Sequence, residues 1–338
     1  MGGSISVLAG REYIMYTLTS PRPYVGELFN YLNEAVTAPA FKAWELNDHV
    51  YARMAEEMEG LDASTQAVEL LHKAAYRNGL GQSLYSPEYM IGQHKTSSLL
   101  DFHAKTHTVT RTAVVANGVD HRILSKLASQ LGLEKGHGPT QAVKYFGGEA
   151  RLDCGGQHAV VALAVETGPA TNLKDSLTCQ LLRNVMGTGP KIGRGNLSGK
   201  LGKAVAKIEG QKAVSGINYS YQDSGLVGAF VMAEAAIAGN VVSEVVAALR
   251  GLTITDEDLK AAKKGLLIDM SETMLSPAGV VESIGTQTMY GLDPDSNAAA
   301  DLLSTITVSD VQVCIFFFPH RPVGSLFLPS HIFFIGCC

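Results

Sequence analysis

The sequence predicts an α+β protein of two duplicated domains, each a mixed or antiparallel sheet covered by helices. Three observations support this prediction: alternating apolar and polar residues near the N-terminus, a run of amphipathic helices after them, and the same order of elements again in the second half. With 338 residues, the chain is long enough for two domains of ordinary size.

The first copy starts at the N-terminus. Residues 4–18 alternate around Gly10-Arg11-Glu12, which predicts a strand pair. Apolar side chains at helical spacing predict a helix over 25–36, and Pro39 predicts the start of another, because proline is tolerated in the first turn. The remaining predicted elements are helices at about 64–77 and 96–107, a strand at 110–117 and a helix capped by Asp120.

The second copy repeats this order. Residues 213–232 predict a strand pair, and residues 241–249 predict the helix that follows it. Thr255-Asp256-Glu257-Asp258 has the pattern of a capping box, and Ser276-Pro277 predicts one more helix that ends near Tyr290. Before these elements lie an apolar strand at 159–166, expected to be buried on both faces, and a helix at 171–186.

The two copies differ at their ends. The first has no counterpart of the strand and helix at 159–186, so we expect about 65 residues to be absent before Met1. We therefore expect the first domain, without its N-terminal part, at 1–135, a linker at 136–146, and a second domain at 147–312 that is incomplete at its C-terminus.

The last stretch, 313–338, has neither helical nor strand periodicity and contains three prolines. One interpretation is a tail that dips into a membrane. We favour an aberrant, unstructured tail from alternative splicing or intron read-through, because proline is poorly tolerated inside helices and strands.

Composition excludes several classes of protein. A net charge of −5 gives no basic patch for nucleic acid. The sequence contains no run of 18 apolar residues, so no membrane span is predicted. The N-terminus resembles neither a signal peptide nor a transit peptide. The five cysteines have no disulfide-framework or metal-knuckle spacing, so a reducing compartment is expected.

Seven stretches, in order along residues 2–311, resemble the family of mitochondrial processing peptidase and pitrilysin-like zinc metallopeptidases, above all its core protein 2 branch. They are GGSISV (2–7), TAPAFKAWE (37–45), AAYRN (74–78), LYSPEY (84–89), YFGGE (145–149), MGTGP (186–190) with Arg194-Gly195, and SYQDSGL (220–226). The chain looks like a member of that branch truncated at both ends.

The resemblance implies the LuxS/metallohydrolase-like processing-peptidase fold. It also implies a non-catalytic core subunit of ubiquinol–cytochrome c reductase, respiratory complex III, on the matrix side of the mitochondrial inner membrane. Its implied partners are core protein 1 and the other subunits of that complex. Core subunits carry no haem, iron–sulfur cluster or quinone, so no cofactor is expected.

Zinc catalysis in this family uses an H-x-x-E-H helix and a distant glutamate. Neither H-x-x-E-H nor H-E-x-x-H occurs in the 338 residues, so we expect no metal ligand and no catalytic residue. Glu45 is the candidate for a neighbouring carboxylate, but Asp48, Ala52 and Arg53 follow it without a clear ligand.

Three other patterns have a functional and a structural interpretation. His103 and His107 have the i, i+4 spacing of a zinc pair, but no third ligand is near in sequence, so we favour surface or capping histidines. Tyr221-Gln222-Asp223-Ser224-Gly225 is an acidic hairpin turn with a role in the fold.

The third pattern is the glycine-rich segment 187–202. It departs from the phosphate-binding loop pattern at Arg194 and Leu201. A glycine-rich segment of the processing peptidase handles presequences, so the resemblance implies a loop that faces a mitochondrial presequence peptide, through Gly187, Gly189, Gly193 and Gly195. The alternative is a loop with no ligand.

Three functions therefore stay open. The first is the structural subunit of complex III. The second is a zinc endopeptidase of the same family or the regulatory subunit of the processing peptidase. The third is a non-functional truncated isoform, in which an uncovered sheet edge and apolar faces would favour aggregation.

Overall fold

The computed structural model describes residues 2–139, 141–153, 157–188, 199–293, 296–316 and 332–335. The chain forms two compact units. Unit 1 comprises residues 1–61, 84–141 and 273–294, and unit 2 comprises residues 62–83, 142–272 and 295–338.

The described strands are β1 (Ser4–Ala9), β2 (Ile14–Thr19), β3 (His158–Thr167), β4 (Lys212–Ser220), β5 (Gly225–Glu234) and β6 (Ile332–Ile335). The described helices are α1 (Val25–Thr37), α2 (Ala43–Glu45), α3 (Tyr51–Glu59), α4 (Ala63–Tyr76), α5 (Thr96–Thr106), α6 (His121–Ala128), α7 (Leu173–Met186), α8 (Gly199–Val205), α9 (Ala238–Arg250), α10 (Asp256–Leu275), α11 (Pro277–Met289), α12 (Ser296–Thr305) and α13 (Val308–Phe316). The predicted α+β class, with antiparallel sheets covered by helices, is confirmed.

Unit 1 begins with the antiparallel hairpin β1–β2, in which Val7 lies opposite Tyr16. The Gly10 N–H donates to the Tyr13 carbonyl over 2.8 Å and closes the turn. Helix α1 follows and buries Phe29. The strand pair and the first helix predicted from the alternating and helical patterns are therefore confirmed.

The helix predicted from Pro39 begins later, at Ala43. Phe41 has a φ of +39°, a conformation that interrupts a right-handed helix, and Lys42 is extended. From Ala43 the chain stays helical through a π-helical turn at Leu46–Val50 and into α3. The prediction was wrong by four residues because the left-handed backbone at Phe41 leaves no mark in the sequence.

The strand predicted at 110–117 is absent. A 3-10 turn occupies Val109–Arg111, and residues 112–117 have no regular structure. The backbone pairing described here is a single bridge between Thr108 and Glu134. A strand persists only where neighbours pair with it, so apolar residues alone do not form one.

Unit 2 is built on an antiparallel sheet of order β4-β5-β3-β6. Successive residues of β3 point to opposite faces, as strand geometry requires. Val161, Leu163 and Val165 pack into a core with helices α7 to α10, whereas Ala162 and Ala164 pack into a second core on the other face. The prediction that this strand is buried on both faces is confirmed.

Helix α4 supplies the second face of that sheet. Its residues Leu71, Ala75 and Tyr76 are buried against Ala162 and Ala164 of β3 and Leu226 of β5. The small alanine side chains on β3 leave room for the helix to approach. As a result residues 62–83 belong to unit 2, although they precede much of unit 1 in sequence.

The predicted helix caps are present. Asp120 accepts from the Arg122 N–H over 2.8 Å, and Ser276 caps α11 by accepting from Gly279. At α10 the box is reciprocal: the Asp258 N–H donates to Thr255 Oγ1, and the Thr255 N–H donates to Asp258 Oδ2. Each such cap is typically worth about 1 kcal/mol.

The units differ from the predicted domains 1–135 and 147–312, because each unit takes segments from both halves of the chain. Within the predicted tail 313–338, helix α13 continues to Phe316 and residues 332–335 form β6, which pairs with β3. Residues 317–331 and 336–338 of that tail lie outside the described residues. Among the helices described here, each is too short or too polar to span a bilayer.

Leu71→Ala is expected to lower the free energy of unfolding by about 2–5 kcal/mol, because Leu71 is 0% exposed and its removal leaves a cavity under α4. Denaturant titration monitored by circular dichroism measures the change. Leu275→Ala is the matched control, because that side chain is 84% exposed and its loss should cost at most about 0.5 kcal/mol. Equal effects of the two substitutions would show that α4 does not cover the sheet as described.

Candidate functional site

The glycine-rich segment connects helix α7 to helix α8, both in unit 2. Of the four glycines predicted to face a peptide, Gly187 lies within the described residues, whereas Gly189, Gly193 and Gly195 lie outside them. The segment leaves the end of a helix, so it lacks the strand-to-helix setting of a phosphate-binding loop.

Three glycines meet where this segment leaves and returns, and we call Gly187, Gly199 and Gly216 the glycine neck. Gly187 ends α7 with a φ of +116°, and Gly199 has a φ of +76°. A Cβ on Gly199 would overlap the Met186 carbonyl oxygen and the Gly187 backbone. The Gly216 N–H of β4 donates to the Gly187 carbonyl over 2.6 Å. The two ends of the segment are thus in backbone contact and fixed to the sheet.

Two cationic side chains stand at the neck. Arg183 Nε lies 3.4 Å from the Gly216 carbonyl oxygen, to which it donates. Lys200 Nζ lies 2.6 Å from Asp258 Oδ2. Hydrogen bonds from Lys200 and Thr255 lower the pKa of the Asp258 carboxyl to about 2. The start of α8 is therefore held to the capping box of α10.

The described polar groups of the glycine neck are hydrogen-bond donors. They are backbone amides, a guanidinium and an ammonium that is already paired with a carboxylate. Such groups can donate hydrogen bonds to a peptide backbone, whereas attack on an amide bond needs a nucleophile with a base beside it.

A second group of polar side chains lies buried under α4. His72 is 0% exposed, its Nδ1 lies 2.7 Å from the Val68 carbonyl and its Nε2 lies 2.6 Å from the Tyr221 hydroxyl. Because a carbonyl can only accept, Nδ1 carries a proton and donates to Val68, while Nε2 is hydrogen-bonded to the Tyr221 hydroxyl. Both ring nitrogens are therefore occupied.

The same cluster includes Ser224 of the hairpin turn. Its hydroxyl lies 3.1 Å from the Tyr76 hydroxyl and donates to Glu166 Oε1 over 3.3 Å. Burial, with a smaller contribution from the charge of Glu166, raises the pKa of the nearby Tyr145 to about 12. Ser224, Glu166 and His72 are the residue types of a hydrolase, but His72 Nε2 is hydrogen-bonded to Tyr221, whereas the Ser224 hydroxyl is hydrogen-bonded to Tyr76 and Glu166.

The turn itself is as predicted: the Tyr221 N–H donates to the Ser224 carbonyl over 2.8 Å. Tyr221 and Ser224 then connect the turn to α4 through His72 and Tyr76. The role in the fold predicted for this acidic turn is confirmed.

His103 and His107 lie together in unit 1, with ring centroids 4.2 Å apart and planes at 21°. His103 Nε2 lies 2.7 Å from the Val36 carbonyl, and His107 Nε2 lies 3.0 Å from the Tyr16 hydroxyl. Burial and the charge of His103 lower the pKa of His107. The Nε2 atoms of both rings are hydrogen-bonded within the protein, and the backbone N–H of His107 caps the end of α5.

The family's zinc does not fit the described residues. Glu45 is half-buried on α2, Asp48 is exposed on the next turn, and Arg53 lies 3.6 Å from Glu57. The described part of the chain contains no group of three His, Cys, Asp or Glu side chains placed to hold a metal ion.

Sequence patterns did not single out His72 or Glu166. The sequence does contain a signal for His72, because Val68, His72 and Tyr76 are spaced by four residues on α4. This spacing places the His72 side chain on the same face of the helix as Tyr76. Nothing in the sequence identifies Tyr221 as its partner, because the two residues are 149 positions apart.

Comparison with known proteins gives a consistent pattern. Residues 1–88 match the family model for insulinase, peptidase family M16, and residues 96–266 match the model for the peptidase M16 inactive domain. The chain is 33% identical to human cytochrome b-c1 complex subunit 2 over 298 residues, which cover 86% of this chain and 65% of that protein. It is 25% identical to a probable mitochondrial-processing peptidase subunit alpha-1 of Arabidopsis thaliana over 329 residues, 92% of this chain and 64% of that protein.

The fold has a counterpart among solved structures. A chain of complex III2 from Candida albicans, in the structure with Inz-5 bound, matches with a TM-score of 0.81 and 16% identity, over 93% of this chain and 78% of that one. At this identity the match shows a shared fold alone. The chain spans about 65% of the length of the curated mammalian relatives it matches.

Gly199→Ala is expected to destabilise unit 2 by about 2 kcal/mol or more, because the new Cβ would overlap the Met186 carbonyl and a non-glycine residue is strained at a φ of +76°. Denaturant titration measures the loss. Gly285→Ala on α11 is the control, because nothing lies within 4 Å of its Cβ position, and alanine should stabilise that helix by about 0.5–1 kcal/mol. If Gly199→Ala left the free energy of unfolding unchanged, the backbone of Gly199 would not be in contact with Met186 and Gly187 as described.

The raised pKa of Tyr145 predicts a pH dependence at alkaline pH. The unfolded phenol titrates near 10.0 and the folded one near 12, so this contribution to stability is complete below pH 10 and is lost as the pH rises towards 12. Thermal melts across this range should show a decline that Tyr145→Phe reduces, with Tyr13→Phe as the matched control. Glu166→Gln should lower the pKa of Tyr145, measured by ultraviolet difference titration. An unchanged pKa in that variant would contradict the influence of Glu166.

Proposed function

The chain belongs to peptidase family M16, and we propose that it is a non-catalytic structural core subunit of the mitochondrial ubiquinol–cytochrome c reductase, respiratory complex III. In this proposal it supports assembly on the matrix side of the inner membrane, and its partners are core protein 1 and the other subunits of the complex. The observation that carries the proposal is the 33% identity to cytochrome b-c1 complex subunit 2 over 298 residues.

The absence of enzymatic activity is part of the proposal. The H-x-x-E-H motif is missing from the sequence, and residues 96–266 match the inactive domain of the family. Within the described residues the hydrolase-like side chains are committed to the α4 cluster, where both nitrogens of His72 are occupied. We propose accordingly that the chain holds no zinc and no other cofactor.

The glycine-rich segment supports a second proposal. A loop whose ends are fixed at Gly187 and Gly199, with glycines at 189, 193 and 195 between them, could present backbone amides to an extended presequence peptide. The similarity to mitochondrial-processing peptidase subunits alpha favours this ligand, and with it the alternative of a regulatory subunit.

We also propose that the halves 1–135 and 147–312 are the two copies of an ancestral duplication. The repeated order of strand pair, helix and capped helices supports this, because β1–β2 with α1 corresponds to β4–β5 with α9. The boundaries of the compact units describe packing, which does not have to follow the boundaries of the duplication.

The full chain, produced in mitochondria together with core protein 1, is expected to migrate with complex III on a native gel. The purified chain should contain substoichiometric zinc by elemental analysis and should leave a presequence peptide uncleaved. Leu71→Ala serves as the control for folding, because a chain with an unstable unit 2 should be lost from the complex even though its surface is unchanged.

Three results would contradict the structural role. Stoichiometric zinc with chelator-sensitive cleavage would identify a peptidase. Cleavage that appears only when a catalytic processing-peptidase subunit is added, and that falls in a Gly193→Ser, Gly195→Ser double variant, would identify a regulatory subunit. Aggregation of the wild-type chain with no trace in complex III would identify a non-functional isoform.

A further inference from the structure

Two cationic side chains of unit 2 lie over one exposed aromatic ring. The Arg77 guanidinium carbon is 5.0 Å from the centroid of the Phe146 ring, and Lys144 Nζ is 5.3 Å from the same centroid. Phe146 is 42% exposed, and both cationic residues are exposed as well. We propose that these three residues, which we call the cation cluster, bind a segment of a partner protein that carries neighbouring aspartates or glutamates.

Backbone contacts hold the aromatic ring in place. The Phe146 N–H donates to the Ala75 carbonyl of α4 over 2.7 Å, and the Gly147 N–H donates to the same carbonyl over 3.2 Å. The preceding residue, Tyr145, packs edge-to-face against Tyr76, with ring centroids 6.1 Å apart. The ring is therefore fixed to the last turn of α4.

Arg77 reaches the ring from a backbone conformation that is unfavourable for a long side chain. It follows α4 as the C-cap, with a φ of +61° and a ψ of −45°, and its N–H donates to the Lys73 carbonyl. Glycine adopts a positive φ without strain, and asparagine tolerates it better than most residues. The strain of an arginine at this position is thus an argument that its guanidinium has a role.

The charge of the cation cluster is not neutralised by the residues that the structure describes. Among them neither Arg77 nor Lys144 has an ion-pair partner, and Glu149, the carboxylate nearest to Phe146 in sequence, pairs with Arg151. Two positive charges that share one ring repel each other, and an anion bound between them would offset that repulsion. The whole chain has a net charge of −5, so the cluster is a local basic surface on an acidic protein.

The arrangement favours a peptide with several carboxylates as the ligand. Alternate side chains of an extended peptide lie about 7 Å apart on one face, so two carboxylates can meet two cations at once. The Arg77 guanidinium can bind one carboxylate through two parallel hydrogen bonds, and the Lys144 ammonium can bind the other as a point charge. A nucleic acid or an anionic membrane presents a much larger negative surface, which the net charge of −5 opposes.

Binding of a dye-labelled tetraglutamate peptide to the full chain tests the proposal. Fluorescence anisotropy at low ionic strength should show saturable binding that weakens as salt is added. Arg77→Asn and Lys144→Gln should each weaken binding about 3-fold, and the double variant about 10-fold. Asparagine is the replacement at position 77 because it tolerates the positive φ.

Lys260→Gln is the matched control. It also removes one exposed positive charge from unit 2, but it lies on α10, which packs on the opposite face of the sheet from α4. Affinity for the peptide should therefore stay unchanged in this variant. A loss as large as that of the double variant would show that the peptide responds to net charge alone, and the proposal would be wrong.

Variants of the ring separate its role from that of charge. Phe146→Leu should weaken peptide binding about 3-fold although no charge is lost, because the cations lose the ring that holds them. Phe146→Tyr should keep the affinity, since the aromatic face remains. Equal affinity of the leucine variant and the wild-type chain would contradict the part that the ring plays in the cluster.

Cross-linking of the wild-type chain decides the location even where a variant folds poorly. After carbodiimide activation of the peptide carboxylates, mass spectrometry should find the peptide joined by an amide bond to Lys144. Absence of peptide binding, or attachment to other lysines in place of Lys144, would overturn the proposal. Binding of phosphatidylserine-containing vesicles or of a single-stranded oligonucleotide that is lost in the double variant, without binding of the peptide, would identify a different ligand and overturn it as well.

Discussion

The seating of helix α4 on the sheet of unit 2 is the constraint on which the rest of that unit depends. On one side of the sheet, helices α7 to α10 come from the chain that surrounds the strands, but the other side is closed by a helix from far upstream. Apolar burial of Leu71 and Ala75 supplies the driving force, and the buried bonds of His72 and Tyr76 fix the register of the helix against the hairpin turn. A shift of α4 by one turn would leave an imidazole and two hydroxyls buried without partners, which is far more costly than the loss of a few apolar contacts.

The glycine neck shows how the same sheet holds both ends of the glycine-rich segment. Backbone contact between Gly187 and Gly199 is possible only without side chains, and Gly216 lets the end of α7 approach β4. The lysine that follows the neck is tied to a helix cap by Asp258. The positions of Gly187 and Gly199, where the segment leaves and rejoins the described chain, are therefore properties of the fold.

Much of this architecture could be predicted from the sequence, because it depends on neighbours along the chain. Alternation identified β1 and β2, a continuous apolar run identified β3, and helical spacing identified α1, α4 and α9. The caps at Asp120, Thr255 and Ser276 are present as predicted. The predictions that failed share a cause. The left-handed backbone at Phe41, the missing strand at 110–117 and the membership of α4 in unit 2 all depend on tertiary contacts. The candidate site divides in the same way, since the glycines are visible in the sequence, whereas the His72–Tyr221 hydrogen bond joins residues 149 positions apart.

The segments of the two units alternate along the sequence, and this has a consequence for folding during synthesis on the ribosome. Unit 1 opens with residues 1–61 but closes with residues 273–294, so it waits for nearly all of unit 2 to be synthesised. At typical rates of translation, this delay is about 10–40 s. Helix α4 likewise leaves the ribosome long before β5, against which it packs, has been synthesised. The nascent chain therefore exposes apolar faces for most of its synthesis, and its yield in a cell should depend on chaperones that shield them.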